Sequence, residues 1–190
     1  MTTIDDKLFL EKNYNSKTSY FAQNNDKKVV KITTDNNGNV IEELYENNTK
    51  IVLEYDKNNN VISESWYLEN NQTINYCEKH QFEFYESGKL KTRCFAKFNG
   101  PQTNSNWQLI EDFDEDGNVT CVKKDFEGDG NIDFVEEFDH ILASRTKTVY
   151  NSKGQIINVQ QYEYDFDGNL MSVTFDKDGD GTIEYEQKYQ

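Results

Sequence analysis

Two histidines and one proline in 190 residues leave this chain poor in the side chains that most active sites are built from. His80 and His140 alone offer no material for a nucleophile, base and orienter triad or for a multi-histidine metal site. Cys77, Cys94 and Cys121 are odd in number and contain no CxxC, so a secreted disulfide framework is not indicated and reduced thiols are expected. Cys77 and His80 would face opposite sides of a strand, which argues against zinc. Long apolar runs are missing too. The stretch Leu8 to Leu10 is too brief for a signal-peptide core or a membrane span, so cytoplasmic residence without a membrane partner is expected, export by another route staying open. Basic side chains are the minority, 20 against 35 acidic, for a net charge of −15. That charge repels nucleic acid and anionic lipid and leaves a cation, a basic protein surface or plain solvation as its complement. With no glycine-rich phosphate loop and no carboxylate pair in an apolar setting, the chain is not expected to be an enzyme.

What is present is aromatic. Only 35% of the residues are hydrophobic, but 12 Tyr, 12 Phe and 2 Trp are among them, so the buried surface comes from rings in a thin or elongated fold. Rings favour strands. Trp66, Tyr67, Tyr85, Phe95, Phe98 and Trp107 read as sheet core, or as an exposed platform for a peptide or sugar. No stretch keeps a helical period, although Ile4 to Glu11 suits a short N-terminal helix and residues 1–28 a cap or lead-in.

The chain repeats itself. Residues 112–139 align without a gap on 163–190 at an offset of 51, matching Gly117 with Gly168, Gly130 with Gly181 and Ile132 with Ile183. A more divergent copy, 55–80, matches at an offset of 109 and keeps Tyr55, Asp56, Asn60, Ser63, Thr73, Ile74, Tyr76 and Lys79. Turn clusters such as NNGN at Asn36, EDGN at Glu115, SKG at Ser152 and DGN at Asp167 recur along the chain and supply the positive φ that tight hairpins need. Between them the residues alternate: Ile132, Phe134, Glu136 and Phe138 share one face, as do Ile183, Tyr185, Gln187 and Tyr189. These signals predict a single repetitive all-β domain over 1–190, an antiparallel meander of about a dozen short strands in an open sheet, a sandwich or a barrel-like arrangement.

The segment Tyr164-Asp165-Phe166-Asp167-Gly168-Asn169-Leu170 resembles the YD-repeat (Rhs-type) pattern. Its alternation with Asp176 to Tyr185 is similar to the calcium-loop-bearing variant of bacterial repeat proteins. The likeness is good over 111–190 and fair over 33–80. It implies a fold of β-hairpins rather than an activity. Large members enclose a toxin, for which this chain is too short.

The strongest chemical signal is the spacing of two acidic loops. Asp125, Glu127, Asp129, Asn131, Asp133 and Glu136 occupy the alternate positions and terminal acid of a calcium loop, and Asp176, Asp178, Asp180, Thr182 and Glu184 repeat it. Calcium takes six to eight oxygens, and alternate acids curled by a glycine turn bring carboxylates round one point. The second loop has Gln187 where a bidentate Glu is expected, which weakens its match. In both, a strand follows where calcium loops carry a helix, and alternation puts Glu136 on the ringed face with Phe134 and Phe138. Asp112-x-Asp114-x-Asp116 and Glu163-x-Asp165-x-Asp167 share the acidic spacing without the later ligands. Asp-Gly turns also form hairpins with no ion at all. A site of this type would bind at about 10⁻⁴ to 10⁻³ M. Two functions are therefore expected: a non-enzymatic binding or interaction module with calcium in its acidic turns, or a cytosolic immunity protein or antitoxin whose acidic surface neutralises a basic toxin.

Overall fold

The computed structural model describes residues 29–70, 73–98 and 106–189. The expected N-terminal cap over 1–28 lies outside the described residues, as do Asn71, Gln72 and Pro101 of two expected turns. Thirteen strands follow one another: β1 (Val29–Thr34), β2 (Val40–Tyr45), β3 (Thr49–Tyr55), β4 (Val61–Asn70), β5 (Thr73–Phe84), β6 (Leu90–Phe98), β7 (Leu109–Phe113), β8 (Val119–Lys124), β9 (Phe134–Asp139), β10 (Ser144–Tyr150), β11 (Ile156–Tyr164), β12 (Leu170–Asp176) and β13 (Tyr185–Lys188). They form one antiparallel sheet in strict sequence order. Each strand contacts only its predecessor and successor, so the sheet is an open meander whose ends, β1 and β13, do not meet. The all-β expectation holds, and of its three arrangements the open sheet is the one found.

Cross-strand register explains how so thin a fold keeps a core. One row runs Glu64, His80, Phe95, Leu109, Lys124, Phe134, Val149 and Asn158. The next on the same face runs Phe82, Arg93, Glu111, Val122, Glu136, Lys147, Gln160, Phe175 and Tyr185. Rings, aliphatic side chains and paired ions share these rows. Long cationic stems lie over rings, with the Arg145 guanidinium 4.3 Å from the Tyr162 centroid and Lys124 Nζ 5.6 Å from that of Phe134. Arg93 is held by Glu111 on the neighbouring strand. The buried Ile51, Phe82, Phe113 and Val173 all belong to this face. The opposite face carries small polar residues, among them the buried Ser63, Ser65 and Ser172.

Glycine and asparagine turns end the strands through one recurring device. At Asp35, Asp56, Asp114 and Asp165 the carboxylate accepts the backbone N–H groups two and four residues on, at 2.8–2.9 Å. It also accepts the amide of the asparagine at the fourth position, Asn39, Asn60, Asn118 or Asn169. The residue between, Gly38, Asn59, Gly117 or Gly168, has positive φ. These aspartates thus act as turn staples. One turn escapes the sequence pattern. Residues 140–143 reverse the chain between β9 and β10 with neither glycine nor asparagine. Ala143 takes φ 47°, and Asp139 Oδ1 accepts the N–H groups of Ile141 and Leu142.

Those hydrogen bonds set a pH dependence. The backbone N–H of the fourth residue (Asp35, Asp56), or its side-chain amide (Asp114, Asp165), is the main influence holding these carboxyls below their ordinary value of 3.8. A folded-state pKa below the unfolded one contributes stability that is complete above 3.8 and is lost as pH falls through the folded values. Glu64 has the opposite sign, since burial raises it, with Glu43 and Glu78 adding to this and the Trp66 N–H opposing it. With Glu42, Asp129 and Asp176 lowered as well, the lowered carboxyls outnumber the raised one, and the urea midpoint is expected to fall steadily between about pH 4 and pH 2. A midpoint flat across that range would show that the turns draw nothing from their ionised aspartates.

Candidate metal centre

The two acidic loops join β8 to β9 and β12 to β13, at the same end of the strands. Each begins with a buried aspartate at the end of a strand, and each aspartate gathers the backbone of its loop. Asp125, 1% exposed, accepts from Gly128 (2.6 Å) and Asp129 (3.2 Å) on Oδ1 and from Gly130 (2.6 Å) on Oδ2. Asp176, 5% exposed, accepts from Gly179 (2.6 Å) on Oδ1 and Gly181 (2.8 Å) on Oδ2. Burial pushes the Asp176 carboxyl up, but the N–H groups of Gly181, Gly179, Asp178 and Asp180 together outweigh it and hold the group below its usual range. The loops close alike. Asp133 Oδ2 accepts the N–H of Phe126, and Glu184 Oε2 that of Lys177.

They differ in what their other acids do. In the first loop Asp129 is occupied by Asn131, whose backbone N–H and side-chain amide bind its two oxygens at 2.8 and 3.0 Å. Glu127 is exposed. Glu136 does not reach the loop: it sits inside β9 with Oε1 3.4 Å from Arg145 and 3.7 Å from Lys147 of β10. A terminal ligand is delivered by a helix in calcium loops, and the strand that replaces it here carries Glu136 into the ion ladder of the ringed face.

In the second loop Thr182 stands where Asn131 does. It donates only its N–H to Asp180 Oδ1 and brings no amide to the second oxygen. Asp176, Asp178, Asp180 and Glu184 each present an oxygen within 4.8 Å of the others, the one such acidic group among the described residues. Ligands about 2.4 Å from a shared calcium lie at most about 4.8 Å apart, so this donor set fits a hard cation. Four carboxylates leave room for the carbonyl and water oxygens that complete such a shell. The second loop is thus the one whose acids converge.

The weaker acidic turns are used otherwise. Asp112 binds Thr92 Oγ1 and Lys123, Asp114 and Asp165 staple their turns, and Glu163 accepts from Ser172. His80 is a packed ring, stacked near Phe82 and tilted against Phe95 at 5.1 Å, and burial lowers its pKa.

No protein-family model matches the chain, and no curated protein matches it. Solved structures similar to it in part include the Photorhabdus luminescens Tc holotoxin pore with a substituted TccC3, at TM-score 0.37 and 10% identity over 85% of this chain. Another is the TcdB2–TccC3 crystal structure, at TM-score 0.35 and 13% identity over 83%. The chain spans about one tenth of the length of each of those chains.

Proposed function

We propose that this protein is a non-enzymatic β-repeat binding module whose second acidic loop holds calcium through Asp176, Asp178, Asp180 and Glu184. The observation that carries the reading is the convergence of four carboxylate oxygens within 4.8 Å, on a loop already shaped by hydrogen bonds to Asp176. A bound divalent ion would offset the mutual repulsion of those carboxylates and tie the last two strands together. The resemblance to calcium-loop-bearing YD-type repeats supports the same assignment.

The test is thermal melting in calcium against chelator. At calcium roughly a hundredfold above Kd, stabilisation is expected to be about 2.7 kcal/mol, a rise of several degrees in Tm. Asp180→Asn should remove most of that shift, whereas Asp129→Asn should leave it intact. Identical melting curves up to about 100 mM calcium, roughly a hundredfold above the weakest expected Kd, would eliminate the metal.

A second reading, favoured by the net charge of −15, is an inhibitor that covers a basic protein surface, as an antitoxin does. Electrostatic capture of that kind loses on-rate as salt is added. Affinity capture from the source cell should then recover a basic protein released by salt; recovery of none would count against it.

A further inference from the structure

The two edges of the sheet are built differently. β1 has a register break between Val29 and Lys31, an irregularity of the sort that turns an edge away from new strands. β13 pairs with β12 in unbroken register, and all four of its residues are exposed. Tyr185 on this strand and Tyr189 just beyond it are among the exposed large side chains. The N–H of Tyr189 donates to the Met171 carbonyl at 2.9 Å. Main-chain groups alternate in direction along a strand, so Tyr185, Gln187 and Tyr189 bond inward to β12. Glu186 and Lys188 therefore aim their N–H and C=O groups out of the sheet.

We propose that β13 is a self-association edge, which a second copy of this chain joins antiparallel about a two-fold axis at Gln187. Only outward-aimed residues can form the hydrogen-bonded pairs, which leaves axes at Glu186, Gln187 or Lys188. An axis at Glu186 sets two glutamates opposite each other, and one at Lys188 sets two lysines, both unfavourable. The axis at Gln187 places Glu186 opposite Lys188 of the second copy, and Tyr185 opposite Tyr189, twice each. Opposite-charge and aromatic cross-strand pairs are the stabilising kinds. Within one chain Lys188 Nζ already lies 3.1 Å from Glu186 Oε1, so the two-fold completes an alternating square of four charges. Charges that guard an edge against arbitrary strands here select one register and one partner. The contact is isologous and closes at two copies.

The test is sedimentation of the full chain over a concentration series, run in chelator so that this proposal and the calcium reading fail separately. The mass is expected to rise from 22.3 kDa towards twice that value. Lys188→Glu should weaken association at least about tenfold by opposing two glutamates. The swap Glu186→Lys with Lys188→Glu should restore it, a rescue that a folding defect would not give. Gln187→Cys, on the axis, should form an intermolecular disulfide on oxidation, and Glu186→Cys, facing Lys188, should not. A monomer at every concentration, failure of the swap to rescue, or equal cross-linking by both cysteines would overturn the proposal.

Discussion

Asp125→Ala is expected to lower stability by about 3 kcal/mol, with a fall of roughly 10 °C in Tm. The carboxylate is 1% exposed and accepts three backbone N–H groups of its own loop. Hydrogen bonds to a charged group contribute about 1.5–3 kcal/mol each, and donors left buried without an acceptor add their desolvation cost. The three bonds share one anchor, so their effects are not additive. Two of the three donors are glycines, Gly128 and Gly130, at φ 73° and 94°. Asp125→Asn retains one acceptor oxygen and should recover part of the loss. Glu127→Ala, exposed in the same loop, should stay within about 0.5 kcal/mol of the parent. Urea titration measures all three, and an Asp125→Ala protein within about 1 kcal/mol of the parent would show that the loop is held by something else.

Gly179→Ala should also destabilise by about 2–3 kcal/mol. Two costs coincide there. The backbone has φ +75°, and an added Cβ would meet the Ile156 side chain, with its Cβ at 2.8 Å. Gly168, in the next turn type, has φ +83° but open space around it, so Gly168→Ala should show the backbone strain alone, about 1 kcal/mol. Trimming the obstacle with Ile156→Ala should make the Gly179→Ala penalty smaller in the double variant than in the single one. Equal penalties at Gly179 and Gly168 would remove the steric contribution. The contact also seats the second acidic loop against the start of β11.

Most of the architecture was legible because each reversal is encoded locally. A turn such as Asp114 to Asn118 carries its aspartate, its glycine and its asparagine within five residues, and every one of them has a hydrogen-bonding or conformational task. The turn at 140–143 was not legible because its conformation falls to Ala143 and its apolar tip, Ile141 at 92% exposure, reads as strand. In the acidic loops, spacing marked Asp125 and Asp176 as acids but not as the buried carboxylates that gather each loop's N–H groups. A spacing rule written for a following helix credits Glu136, which the strand turns toward Arg145 and Lys147. It also overlooks that Asn131 occupies Asp129 while Thr182 leaves an oxygen of Asp180 to its neighbours. The open edge at β13 had no signal of its own in the pattern, since its meaning depends on which residues bond inward.

The strict succession of strands has a consequence for how such a chain can change. Because each ribbon touches only the one before and the one after, excising or duplicating a complete hairpin disturbs two junctions and leaves all remaining pairings as they were. Cooperativity in such an array is that of a row of dominoes, where stability passes between neighbours and has no common centre. Short separations between paired segments also favour rapid assembly. Length is then a freely adjustable quantity, and the 51-residue offset between copies records one such adjustment, an increment of four strands that kept both rims of the ribbon in phase.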